Sequence, residues 1–201
     1  MKGTVLAQVS NDGSSAIEQG IPYIVEVVVE GSATFLFHRW SVDGIEAKGR
    51  ASKGSKAKKE DDLESYVYRN EKGFLCIPTE YFRMSLINAA KYKQDPRSPR
   101  KSAMDLFKAG VVGLTDLCSL GMKEWQYVDR RRVMIQRNGI TRHRPALYAG
   151  WKAEMQFQVL VPEYISSILL NEVIQSAGRL VGVGDFRPTF GRFAVTSFSV
   201  L

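Results

Sequence analysis

The chain of 201 residues carries 28 Lys plus Arg against 21 Asp plus Glu, a formal charge of +7 and a pI near 9.4. At 44% hydrophobic and 24% charged it is globular material, which excludes disordered, collagen-like and fibrous classes, and its length allows one domain over 1–201 with a sizeable insertion. No apolar run approaches the roughly 18 to 20 residues of a membrane helix, Met1-Lys2-Gly3-Thr4 does not open a signal peptide, and two cysteines with two histidines offer no zinc spacing, so a reduced, cytoplasmic protein without cofactor is expected.

In chain order, residues 3–9 predict a short strand. Tyr23, Val25, Val27 and Val29 alternate with Ile24, Glu26, Val28 and Glu30, the period of two of a strand. Gly31-Ser32 suits a tight turn, and the aromatic-rich Phe35–Trp40 resumes the pattern, so a long hairpin is predicted over Tyr23–Val42. From Asp43 the composition shifts: Lys48, Arg50, Lys53, Lys56, Lys58 and Lys59 stand among Gly, Ser and Ala, and Glu60, Asp61, Asp62 and Glu64 follow. Such a segment cannot bury enough apolar surface to offset the ordering of its backbone, and 43–64 is predicted to be a mobile basic insertion.

Order returns at Ser65–Tyr68 and Gly73–Pro78. Thr79 is placed as N-cap of a helix running to Tyr92, with Glu80 in its first turn and Phe82, Leu86, Ala89 and Ala90 as its buried stripe. Lys91, Lys93, Arg97, Arg100 and Lys101 gather at or beyond its end, and Ser102-x-x-Asp105 predicts a capping box opening a short helix to Gly110. Over 125–150, Asn138-Gly139 signals a hairpin that carries Arg130, Arg131, Arg132, Arg137, Arg142 and Arg144. Lys152–Val161 alternates as a half-buried strand. Pro162-Glu163 opens a helix with Ile165, Ile168, Leu169, Val173 and Ala177 on its apolar face and Gly178 at its end. A glycine-rich stretch, Gly182–Arg192, precedes a closing strand, Phe193–Val200. Two β-helix-β units are read, around 66–93 and 152–200.

The glycine-rich stretch is no nucleotide loop: a phosphate fingerprint needs strand, glycine turn, then helix, whereas here a helix precedes and a strand follows. It is either a structural turn or a backbone surface open to a phosphodiester chain, flanked by the guanidiniums of Arg187 and Arg192. His38 and His143 lack a second catalytic partner, and no triad or paired-carboxylate metal motif is present in the sequence, so no enzyme is expected. Each basic cluster (48–59, 91–101 and 130–144) reads alone as a solvated surface. Three of them, with Trp40, Trp125, Tyr127, Tyr148 and Trp151 nearby, fit a groove that joins phosphate neutralisation to base stacking, although half or more of these rings are expected in the core. The candidate phosphate contacts are Arg39, Arg83, the cluster residues, Arg187 and Arg192; Trp40 and Tyr148 are the candidate stacking rings.

The order strand, Gly73, Ile77-Pro78, helix resembles a step of the CRISPR-associated RAMP superfamily, in particular the backbone subunits that polymerise along guide RNA. Strand, helix, Gly178, Gly182-Val183-Gly184, then Gly191-Arg192-Phe193 is similar to that superfamily's C-terminal glycine-rich loop, and Arg144-Pro145, Trp151 and Asp185-Phe186-Arg187-Pro188 resemble related phage-encoded proteins. The resemblance covers most of 65–200. It implies an α+β, modified ferredoxin-like (RRM-type) antiparallel sheet with helices on one face, an inserted thumb (best matched by 43–64) over single-stranded RNA or DNA, and side-by-side homo-oligomers along it, with CRISPR-type or phage replication proteins as partners and no membrane. The chain is short for such a subunit. A protein-interaction module, either a phage structural protein or an inhibitor imitating a CRISPR subunit, is the alternative, and a metal-independent endoribonuclease comes third.

Overall fold

A computed structural model describes residues 20–40, 62–135 and 138–201. The predicted strand at 3–9 and the insertion residues 43–61, with Lys48, Arg50, Lys53, Lys56, Lys58 and Lys59, lie outside the described residues.

The strands are β1 (Tyr23–Gly31), β2 (Phe35–Leu36), β3 (Tyr68–Arg69), β4 (Leu75–Pro78), β5 (Gln94–Asp95), β6 (Ser98–Ser102), β7 (Val111–Gly113), β8 (Leu117–Ser119), β9 (Tyr127–Ile135), β10 (Asn138–Leu147), β11 (Lys152–Val159) and β12 (Phe193–Val200). The helices are α1 (Thr79–Ala90), α2 (Met104–Gly110) and α3 (Ser167–Leu180). The fold is α+β, with four antiparallel sheets among the described residues: β12-β1-β11-β7, β2-β10-β9, β3-β4-β8 and β5-β6. In the first, β1 leads through α1 to β7, and β11 leads through α3 to β12. This order is consistent with a ferredoxin-type fold.

Period-two burial holds as expected. Tyr23, Val25, Val27 and Val29 of β1 and Ala153, Met155, Phe157 and Val159 of β11 are buried in register, Val25 opposite Phe157 and Val27 opposite Met155. They join Phe82 and Leu86 of α1 with Leu170, Val173, Ile174 and Ala177 of α3 in one apolar cluster.

Several local expectations are corrected. β1 and β2 do not form a hairpin: both edges of β1 are filled by β11 and β12, and β2 pairs with β10. The crossing is fixed by Gly31 N–H to the Trp151 carbonyl (2.7 Å) and by Ser32 and Ala33 N–H to the Arg192 carbonyl. The Trp151 indole occupies the space a Cβ at Gly31 would need. The first β-helix-β unit is therefore β1-α1-β7, with 35–78 inserted in it. Thr79 is not an N-cap; Pro78 holds that place, and Thr79 Oγ1 meets Cys118 Sγ at 3.0 Å. Ser102 caps nothing, because it pairs with Gln94 in β6 and α2 starts at Met104. Pro162–Ile165 is a turn on the Val161 carbonyl; the helix begins after Ser166, whose Oγ accepts the Leu169 N–H (3.2 Å). Consequently Ile168 is 66% exposed and Leu170 takes the buried place. Helix α3 runs past Gly178 and stops at Gly182, which has φ 72° and donates to the Ala177 carbonyl. Asn138 lies opposite Ile135, so Asn138-Gly139 belong to β10 and the connection falls before them.

Candidate nucleic-acid interface

The glycine-rich stretch folds back onto the chain itself. Gly191 N–H donates to the Thr34 carbonyl (2.7 Å), Val183 N–H to the Gly191 carbonyl (2.9 Å) and Asp185 N–H to the Leu36 carbonyl (3.1 Å). A Cβ at Gly184 would lie 2.6 Å from the Leu36 carbonyl oxygen. The glycines thus permit close packing on β2, which is the structural-turn alternative, and they position Asp185, Phe186 and Arg187 beside the β9–β10 hairpin.

Alternation sorts the arginines of that hairpin. Arg131 lies opposite Arg142, and Asp129 opposite Arg144, all on one face; Arg130 opposite His143 and Arg132 opposite Thr141 take the other. On the first face Arg144 Nε donates to Asp185 Oδ2 (3.1 Å) and Arg142 lies 3.4 Å from the same oxygen. The Arg144 guanidinium also donates to the His143 carbonyl and lies 4.0 Å from the centre of the Tyr66 ring. Arg131 makes a bidentate pair with Asp129 (2.5 and 2.7 Å) and sits between Phe186 and Phe190, 4.9 and 4.5 Å from their centroids. These guanidiniums are engaged: Arg144 is only 3% exposed. They hold the loop, and what the loop presents is Arg187, exposed and joined to Pro188 by a cis bond.

Beside the loop, His38 follows β2. Its carbonyl accepts the Tyr81 hydroxyl (2.9 Å), and its Nδ1 is the one buried side-chain polar atom without a partner among the described residues. Burial lowers its pKa, Asp185 raises it, and Arg144 and Arg142 lower it again. Arg187 is close enough for its charge to be felt at Tyr81, whose hydroxyl pKa burial raises. Arg39 and Trp40 come next in the chain. Both are exposed, Trp40 at 73%, and Arg39 lies over the Tyr68 ring at 5.4 Å. Arg39, over Tyr68, and Arg187, felt at Tyr81, thus border the Tyr68–Tyr81 pair, whose hydroxyls lie 3.5 Å apart, and the exposed Trp40 follows Arg39 in the chain.

Other candidates are dispersed. Tyr148, 57% exposed, stacks on Tyr127 with ring centres 4.6 Å apart, while Trp151 is core. Arg130, Arg132 and Arg192 are exposed. Arg83 is engaged inside the fold, donating to the Val111 and Lys108 carbonyls (both 2.7 Å) and pairing with Glu80. Lys91, Arg97, Arg100 and Lys101 lie on and before the β5–β6 hairpin, which Lys93 ties to Glu172 of α3 at 2.7 Å. The hairpin meets the N-terminal half of α3, through Lys93 to Glu172 and Arg97 over Tyr164 just before the helix, whereas the glycine-rich stretch leaves its C-terminal end; Glu172 and Leu180 are already about 12 Å apart at 1.5 Å per residue. The outward rows of β1 and β11 are Ile24, Glu26, Val28 and Glu30 with Lys152, Glu154, Gln156 and Gln158. This face is acidic and carries no aromatic ring of the kind on which RRM sheets stack bases.

Sequence reasoning missed Asp129, Asp185, Tyr66, Phe186 and Phe190 as the residues that build the site. Period-two registration of β9 against β10 was the signal that would have sorted the arginines. Among the described residues no three His, Cys, Asp or Glu side chains gather as metal ligands, and no helix is long and apolar enough to cross a membrane.

No family model matches the chain and no curated protein matches its sequence. Among solved structures, it is similar to a chain of a type III-B Cmr-beta complex bound to cognate target RNA, with a TM-score of 0.53 and 8% identity. The match covers 94% of this chain and 63% of that one, so the chain spans less than two thirds of that length. At such identity the likeness is one of fold. A Cas6 product complex aligns over 93% of this chain and 54% of its own, with 10% identity and a TM-score of 0.24, a likeness too low to argue from.

Proposed function

We propose that the chain is a non-enzymatic, single-strand-binding module with an RRM-type scaffold of the RAMP kind, which assembles side by side along RNA or single-stranded DNA. The observation that carries this reading is the glycine-rich loop: Asp185, Arg142, Arg144 and Arg131 hold it with Arg187 exposed and its charge felt at Tyr81, whose neighbour Tyr68 lies under Arg39, the residue before the exposed Trp40. Arg187 and Arg39 supply phosphate contacts and Trp40 a stacking ring, the combination that sequence-tolerant single-strand binders use. The sheet order and the likeness in fold to a chain of an RNA-bound complex support the same reading.

Fluorescence anisotropy with labelled single-stranded RNA and DNA over a salt series tests it. If about six phosphates are neutralised, log affinity falls with log salt at a slope near −4. The pair Arg39→Ala and Arg187→Ala lowers that slope by about 1.4 while leaving the melting temperature unchanged. A slope near zero for the parent protein sinks the reading. The acidic sheet face with Glu26, Glu30 and Glu154 favours a second reading, a protein-interaction module, which forms a partner complex and leaves bare oligonucleotides unbound.

A further inference from the structure

The β5–β6 hairpin lies away from the loop and is left without a role by the site above. Its turn is fixed by Asp95, 4% exposed, whose carboxylate accepts the Arg97 backbone N–H (2.9 Å) and both arms of the Arg97 guanidinium (3.0 and 2.8 Å). Gln94 Nε2 donates to the Pro99 carbonyl at 2.7 Å, bracing the same turn from the other strand. The one acid within residues 91–101 is thus spent on the turn. Lys91, Arg100 and Lys101 are exposed and make no ion pair with a described residue. Two exposed rings accompany these cations. Tyr92, 60% exposed, has the Lys91 ammonium 4.7 Å from its centroid, and Tyr164, 40% exposed, has the Arg97 guanidinium at 5.6 Å.

From this braced hairpin we infer a second, independent contact for a single-stranded nucleic acid that wraps the hairpin, formed by Lys91, Arg100 and Lys101 with Tyr92 and Tyr164, the consecutive Arg100 and Lys101 of β6 serving its two sides. Cations interleaved with exposed flat rings are what single strands recognise: phosphates displace counterions from the cations, and any base offers a π-face to the rings. An acidic peptide would use the cations but has no need of the rings, which is why nucleic acid is the favoured occupant. Asp105, felt at Arg97, and Glu172, paired with Lys93, stand nearby and keep the hairpin from being a uniformly positive field. The hairpin packs beside Tyr164 and Glu172 in and before the N-terminal half of α3, and the Arg187 loop follows its C-terminal end, so the two contacts are separate places along the molecule. A strand must run along the molecule to engage the two, and a short oligonucleotide engages only one.

This inference rests on the single-strand reading, and the test separates the two. Anisotropy is measured with a 4-nucleotide and a 16-nucleotide strand, lengths within the range of about 4 to 16 nucleotides of known single-strand sites. The variant is the triple Lys91→Glu, Arg100→Glu, Lys101→Glu, whose positions are all exposed, with Tyr92→Ala as a charge-neutral companion. On the long strand the triple variant lowers the salt slope by about 2, three cations at about 0.7 each, and Tyr92→Ala weakens binding about tenfold at unchanged slope, within the ~1–3 kcal/mol known for base stacking. On the short strand, Arg187→Ala costs affinity as before and the triple variant still binds through the loop. A triple variant with the parent's slope and affinity on the long strand overturns the inference and leaves the loop reading standing. Loss of affinity only for an acidic protein, with oligonucleotide binding intact, overturns it in favour of a protein contact. Should the parent bind neither strand, the single-strand reading itself fails.

Discussion

Asp185 is the residue on which the loop reading turns, and replacing it by Asn isolates its charge. Its carboxylate accepts from Arg144 Nε at 3.1 Å and from the Phe186 backbone N–H at 3.1 Å, and it lies 3.4 Å from Arg142. Asn keeps the shape and an acceptor oxygen but leaves the Arg144 side chain, 4% exposed, with its charge unmatched. Arginine does not deprotonate in proteins, so the charge cannot be shed by titration. Breaking a buried pair this way costs about 3–5 kcal/mol. Arg144 retains the His143 carbonyl and the Tyr66 ring, which places the expected loss at the lower end, about 3 kcal/mol. For a chain of this size that is a drop of about 6–12 °C in melting temperature. The assay is thermal unfolding by near-ultraviolet circular dichroism at low and high salt; the loss persists at high salt because the pair is buried. The double variant Asp185→Asn, Arg144→Met removes both charges and recovers at least half of the loss, since an apolar replacement of a buried pair is often neutral. An Asp185→Asn protein that melts within about 1 °C of the parent refutes the anchoring role.

Three further outcomes follow from the packing. Gly178→Ala in a helix interior ordinarily gains about 1 kcal/mol, but here the new Cβ would overlap the Phe193 backbone carbonyl, so the urea midpoint falls by an amount equivalent to about 1–3 kcal/mol. Arg83→Met loses both carbonyl contacts and destabilises the protein by about 2 kcal/mol with an unchanged salt slope in binding; a lower slope at unchanged stability would make Arg83 a phosphate contact instead. His38 has a pKa lowered in the fold, so the unfolded chain binds its proton more readily: the stability it lends is whole above about pH 6.5 and is lost as pH falls through the folded value. His38→Gln flattens the dependence of the urea midpoint on pH between 7 and 5.5, and an unflattened profile would assign the effect elsewhere.

What the sequence disclosed follows from the range of each signal. Alternation in β1 and β11 reads correctly because one face of each strand meets the core and the period is local. Pairing does not read so. Gly31-Ser32 has the composition of a hairpin turn, yet Trp151, 120 residues later, fills the space above Gly31 and its carbonyl takes the Gly31 N–H, and the chain crosses to another sheet. Pro162 is an acceptable helix start by composition, and only the turn on the Val161 carbonyl moves the start to Ser166, which caps the helix. The site shows the same division. Arg187 and Trp40 are legible by residue type, but Asp185 is recognisable as the support of Arg187's loop only once β10 is known to run beside it.

The surplus of seven positive charges therefore serves two tasks that composition alone cannot separate. In β9 and β10, Arg131, Arg142 and Arg144 face Asp129, Asp185 and three aromatic rings, and are consumed in holding the loop. Arg130 and Arg132, one residue away on either side, face the opposite direction and are open. A polyanion on the loop side meets Arg187 and Arg39, and one on the other side meets Arg130 and Arg132; the hairpin stands between. A strand that touches both pairs must pass around the hairpin, for instance by the edge formed by β9, one of the two edge strands of its sheet among the described residues. On the proposed reading, the register of one hairpin therefore constrains how a strand could lie more than the number of arginines it carries does.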